Sequence, residues 1–90
     1  MIGMFAISLA GHDKNQMYVI IEQDAEYVYL ADGRLRPIEK PKKKKQKHIQ
    51  LIKTGLDEDL MKKLSDKQII FNEDIRRALK HRTNKEVTHV

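Results

Sequence analysis

Six lysines fall within eight residues, at Lys40, Lys42, Lys43, Lys44, Lys45 and Lys47, and Arg34 and Arg36 stand just before them. Lysine is a compact, strongly hydrated point charge, suited to phosphate contact and poor at reading bases through paired hydrogen bonds. A run this dense predicts contact with a nucleic-acid backbone that positions the protein and specifies little sequence. The competing reading is a solvated loop kept polar for solubility; the density of charge and the nearby arginines favour nucleic acid. Arg34 and Arg36 project from one strand face and suit one phosphodiester track, unless they pair with Asp32 and Glu39. His12 and Lys14, in a turn opened by Gly11, either touch a phosphate and a 2′-hydroxyl or are ordinary surface loop residues. Tyr27 and Tyr29 offer either a stacking platform for unpaired bases or, with so few large side chains available, packing.

Residues for other chemistry are missing or badly spaced. The four histidines, His12, His48, His81 and His89, show no metal-ligand spacing. No glycine-rich phosphate loop or nucleophile elbow occurs, and without cysteine there is no disulfide, zinc ribbon or thiol nucleophile. The expectation is a protein that is not an enzyme, with no catalytic residue, metal ligand or cofactor.

The 90 residues carry a net charge of +5, and its distribution matters more than its size. Residues 1–33 hold one lysine and five acids, whereas residues 34–48 hold eight basic residues and one acid. Residues 49–90 add nine basic and seven acidic residues, so the positive excess is concentrated in one window. A chain of this length forms a single small domain, too small to wrap a large substrate cavity. No stretch approaches the roughly 18 apolar residues of a membrane helix, and apolar residues 1–10 lack a cationic leader, which argues against a secretory signal. The expectation is a cytoplasmic protein with no membrane partner.

The candidate residues need a scaffold, and the first half reads as strands. Phe5, Ile7 and Leu9 alternate with smaller residues; residues 17–21 form a β-branched run with Tyr18 in the core; residues 26–31 alternate again. Asp32-Gly33 signals a type I′ hairpin turn, returning through residues 34–38 as a fourth strand ended near Pro37. The lysines of residues 40–47 then form a loop, disordered by mutual repulsion, before a fifth strand at residues 48–53. Five short strands joined by tight turns predict a mainly β fold, most economically a small barrel. Beyond Gly55 the period changes. Leu56, Leu60 and Leu64 recur behind acidic Asp57-Glu58-Asp59, predicting a helix; Ser65 with Gln68 resembles a capping box. Asn72 is placed to cap a second helix that carries Ile75, Ala78 and Leu79 inward. The expected organisation is a barrel over residues 1–54 with a basic loop at 40–47, two short helices packed on it over 55–82, and a flexible tail at 83–90.

The stretch from Phe5 to Ile52 resembles the KOW-motif proteins, in particular small bacterial relatives of an archaeal and eukaryotic large-subunit ribosomal protein family. Ala10-Gly11-His12-Asp13-Lys14, Tyr18-Val19-Ile20-Ile21, Ala31-Asp32-Gly33-Arg34-Leu35-Arg36, Glu39-Lys40-Pro41-Lys42-Lys43-Lys44 and Lys47-His48 carry it, in order, over half the chain. Asn15 departs from the pattern where such proteins have a second glycine, but asparagine tolerates the left-handed conformation. The resemblance implies an SH3-like barrel with a helical extension. It further implies RNA binding, often of ribosomal RNA, through the turn at Gly11, His12 and Lys14 and through the basic segments to His48. The ribosome or RNA polymerase would then be partners. The alternative is a protein-interaction module of the transcription or translation machinery, using the barrel edge and the helices.

Overall fold

Apolar patterning produces four of the five strands, a lysine run supplies the other, and beyond Gly55 a four-residue leucine repeat produces the first of two helices. The computed structural model describes the backbone of residues 1–88 and the side chains of residues 1–82. The strands are β1 (Phe5–Ser8), β2 (Met17–Gln23), β3 (Tyr27–Ala31), β4 (Lys42–Lys45) and β5 (Ile49–Ile52). A 3₁₀ turn, Gln46–His48, joins the last two, and helices α1 (Glu58–Ser65) and α2 (Asn72–Thr88) follow. All strands belong to one antiparallel sheet in the order β4-β3-β2-β1-β5. No helix among the described residues is long and apolar enough to cross a membrane.

Both faces of the sheet are covered. On one side Phe5, Val19 and Ala31 pack against Leu60 of α1 and Ile75 and Ala78 of α2. On the other, Ala6, Tyr18, Ile20, Val28 and Leu30 form a second cluster with Ile49 and Leu51. The sheet reaches that second core by curling. Lys44 on β4 bonds Ser8 on β1, three strands away, and in a flat sheet those strands would lie about 14 Å apart. A lysine side chain does not span that distance. The edges β4 and β5 form no ladder with each other, so the expected closed barrel is instead a curled sheet, open along one seam.

Four further expectations are corrected. Residues 34–38 are a loop rather than a strand, because their backbone donors are consumed locally: Asp32 Oδ1 accepts from the Arg34 and Arg36 amides at 2.8 and 2.9 Å. The turn is not type I′, since Gly33 has φ +76° but Asp32 is not among the positive-φ residues. The fourth strand lies in the lysine run itself, which is therefore not a disordered loop: Lys42 to Lys45 pair in register with Leu30 to Tyr27. Lysines on an edge strand discourage pairing with another molecule, which gives the run a structural role that its composition does not announce. Finally, α2 is a single 17-residue helix reaching Thr88, where a tail was expected from Thr83; residues 89 and 90 lie outside the described residues.

The helices begin and end by identifiable devices. Asp57 caps α1, its carboxylate accepting from the Leu60 amide at 3.0 Å. Ser65 is the last residue of α1 rather than a cap for the segment after it. Beyond it the Lys67 and Gln68 amides donate back to the Leu64 and Lys63 carbonyls, a Schellman closure. That motif requires a left-handed residue, and Lys67 occupies it at φ +56°. Lys67→Gly should raise thermal stability by about 0.5–1 kcal/mol, seen as a higher unfolding midpoint; no change would mean that the strain is relieved elsewhere. At α2 the Phe71 amide donates to Asp74 Oδ2 at 2.9 Å, half of a capping box. Asn72 is thus the first helical residue rather than the cap, and its side chain accepts from the Ile38 amide at 2.8 Å.

Candidate nucleic-acid interface

The turn between β1 and β2 is built on two left-handed residues, Gly11 at φ +86° and Asn15 at φ +73°. Asparagine does adopt the conformation that a second glycine would provide. The Asn15 amide donates to the Ser8 carbonyl at 2.8 Å and the Gln16 amide to the Asp13 carbonyl at 3.0 Å. This folding leaves His12 and Lys14 exposed and aims Asp13 inward.

Asp13 is the hub of a polar network that sequence reading overlooked. It accepts from Lys44 Nζ at 2.8 Å, Ser8 Oγ at 2.9 Å, Lys42 Nζ at 3.0 Å and Tyr18 Oη at 3.2 Å. Burial alone would raise its carboxyl, but the hydrogen bonds from Lys44, Lys42 and Ser8 together outweigh it and hold the group well below the usual carboxylate range. Lys44, only 9% exposed, finds an acceptor for each of its three N–H donors in Ser8 Oγ, the Ala10 carbonyl and Asp13. The pair Ser8–Lys44 has the proximity of a serine nucleophile and its base. Ser8 is fully buried, however, and Lys44 is neutralised by Asp13, so the pair is framework.

The second component is the loop after β3. Gly33 is buried against α2, where its carbonyl accepts from Arg76 Nη1 at 2.6 Å. Asn72 holds the far end through the Ile38 amide and donates to Glu39 at 3.2 Å. Between these two anchors Arg34, Leu35 and Arg36 are exposed, with Leu35 at 90%. The two arginines are therefore presented on a fixed rim, and Asp32 spends its near oxygen on their amides rather than on their side chains.

Turn and loop face each other across a cleft lined by His12, Asp13, Gln16, Tyr18, Asp32, Leu35, Arg36 and Lys42. The structure thus brings His12, Arg36 and Lys42 together, whereas Gly11 and Lys14, in the same turn as His12, and Arg34, in the same loop as Arg36, do not line this cleft. It does not gather the whole basic set. Because side chains alternate along a strand, Lys42 and Lys44 share the inner face with Leu30 and Val28. Lys43 and Lys45 share the opposite face with Tyr29 and Tyr27, and Lys43 Nζ lies 4.3 Å from the Tyr27 ring centroid. Both tyrosines are half-buried, and Tyr29 Oη donates to Asp24 at 3.2 Å. Lys40 is exposed in the turn after Pro37, and Lys47 and His48 are exposed on the 3₁₀ turn. The six lysines are not equivalent: Lys44 is internal, Lys42 is half-buried in an ion pair, and the others remain open to solvent to differing degrees.

A second cleft shares Gln16 and Asp32 with the first and continues along α2, where Arg34, Arg76, Arg77, Lys80 and His81 line it. Of these only Arg34 is a candidate from the sequence; the helical spacing of Arg76, Arg77 and Lys80 contained a signal, but nothing local showed that they share a cleft with Arg34. Compared with known proteins, the chain matches no family model and no curated protein.

Proposed function

We propose that the protein is a non-catalytic RNA-binding module that holds the phosphate backbone in the cleft between the Gly11 turn and the 33–36 loop. One observation carries this reading: a turn and a loop distant in sequence are each pinned by hydrogen bonds so that His12 and Arg36 line one cleft with Lys42 of β4. Fixed cations around a concave surface suit a repeating anion, and lysine with arginine suits phosphate better than bases. The resemblance to KOW proteins supports the same reading. Gly11 and Asn15, the two turn positions that carry part of that resemblance, are both left-handed. On this reading a ribosomal RNA in the cytoplasm is the partner. The exposure of Ile69 (80%) and Phe71 (65%) between the helices favours, as a second function, a contact with a protein of the translation or transcription machinery.

Salt dependence tests the proposal. With about four phosphates engaged, log K against log salt should fall with a slope near −3 on single strands. Lys14→Gln with Arg36→Gln should flatten that slope by roughly 1.4 units and weaken different RNA sequences alike, as measured by fluorescence anisotropy. Unchanged affinity and slope in this variant would place the RNA site elsewhere, and loss confined to one RNA would mean base reading.

A further inference from the structure

We propose that the RNA strand does not end at the first cleft but crosses the 33–36 loop into the second, making the exposed side of α2 a further phosphate-binding segment. The inference rests on the RNA-binding reading above and extends it to an elongated ligand, a single strand long enough to occupy both clefts.

Continuity is the first argument. Gln16 and Asp32 line both clefts, and neighbouring residues of one loop face in the two directions: Arg34 lines the second cleft, Arg36 the first. A strand passing over Leu35, which stands out into solvent, would meet a cation on either side and an apolar surface between them. The balance of charge is the second. Arg34, Arg76, Arg77 and Lys80 line the α2 cleft against the carboxylates of Asp32 and Glu73. The Asp32 carboxylate already accepts two loop amides, which reduces its repulsion of an incoming phosphate. The third argument is availability. Arg76 is fixed on the Gly33 carbonyl and Arg77 on Asp74 at 2.9 Å. Arg34 and Lys80 are exposed and form no ion pair among the described residues. They are therefore placed to bind phosphate without dismantling the contacts that hold α2.

The test compares oligouridylates of about 4 and about 12 nucleotides, spanning the range over which small β domains hold single strands. Fluorescence anisotropy should show the wild type binding the longer strand more tightly, with a steeper salt dependence. Arg34→Gln with Lys80→Gln should weaken the longer strand by roughly tenfold, flatten its slope by about 1.4 units and abolish most of the length advantage. The melting temperature should not move, since both side chains are exposed. A variant that keeps the wild-type affinity and slope for the longer strand overturns the extension while leaving the first cleft standing. If the wild type binds neither oligomer, both readings fall.

Discussion

Asp13→Asn should lower the melting temperature by at least about 12 °C. The substitution keeps the shape and one acceptor oxygen but removes the charge that neutralises Lys44, whose ammonium is buried beside Ser8 and the Ala10 carbonyl. Leaving a buried charge unpaired costs about 3–5 kcal/mol, and each kcal/mol moves a domain of this size by about 4–8 °C. Removing the lysine charge as well, in Asp13→Asn with Lys44→Met, should recover much of the loss, because a paired charge replaced by an apolar group of similar shape is often neutral. The network also predicts acid sensitivity. Folding lowers the Asp13 carboxyl below its unfolded value near 3.8. Its contribution is therefore complete above that pH and is lost as the pH falls toward the lowered folded value. Burial, and after it the Asp13 charge, push the Tyr18 phenol up to about 12. In Asp13→Asn the tyrosine absorbance titration should shift to lower pH. A melting temperature within about 4 °C of wild type would refute the hub.

Gly33→Ala should cost at least about 2 kcal/mol, measured by chemical denaturation. At φ +76° a side chain is strained. An added methyl would also lie 2.5 Å from the Asn72 carbonyl oxygen and 2.9 Å from Arg76 Cγ. The obstruction is backbone of the first turn of α2, which does not swing aside, so the helix must move away from the sheet. Gly11→Ala provides the control: φ there is +86°, but the new methyl would meet only Asp13 Oδ1 at 3.6 Å and Lys44 Nζ at 3.8 Å, ordinary contacts. The loss at Gly33 should therefore clearly exceed the loss at Gly11. Equal effects would mean that conformational strain alone operates and that the packing of α2 on the loop is dispensable.

The contrast between these two glycines shows what the sequence makes legible. The positive φ of Gly11 and the left-handed Asn15 are set by local chemistry, and β1, β2, β3, β5 and α1 by their apolar periodicity. Strand β4 is not: four identical lysines carry no alternation, and lysine is depleted in strands. Only partners elsewhere, Asp13 on one face and Tyr27 on the other, distinguish Lys44 from Lys43. Conversely, residues 34–38 have strand-like composition, and Asp32 and Asn72 divert their amides. The candidate site was legible as a set of cations near Gly11 and Arg34. Which of them line one cleft depends on contacts with α2, far along the chain.

The covering of the outer sheet face by α1 and α2 has a consequence for biosynthesis. Phe5, Val19 and Ala31 are made early, whereas Ile75 and Ala78, which close over them, are among the later residues to emerge. At about 5–20 residues per second, that apolar surface waits roughly 2–15 s for its cover. The lysines of β4 emerge during this interval and place like charges on the edge of the nascent sheet, where another incomplete chain would otherwise pair. A message truncated before α2 would yield a protein held permanently in that exposed state, a substrate for chaperones and proteases rather than a smaller working module.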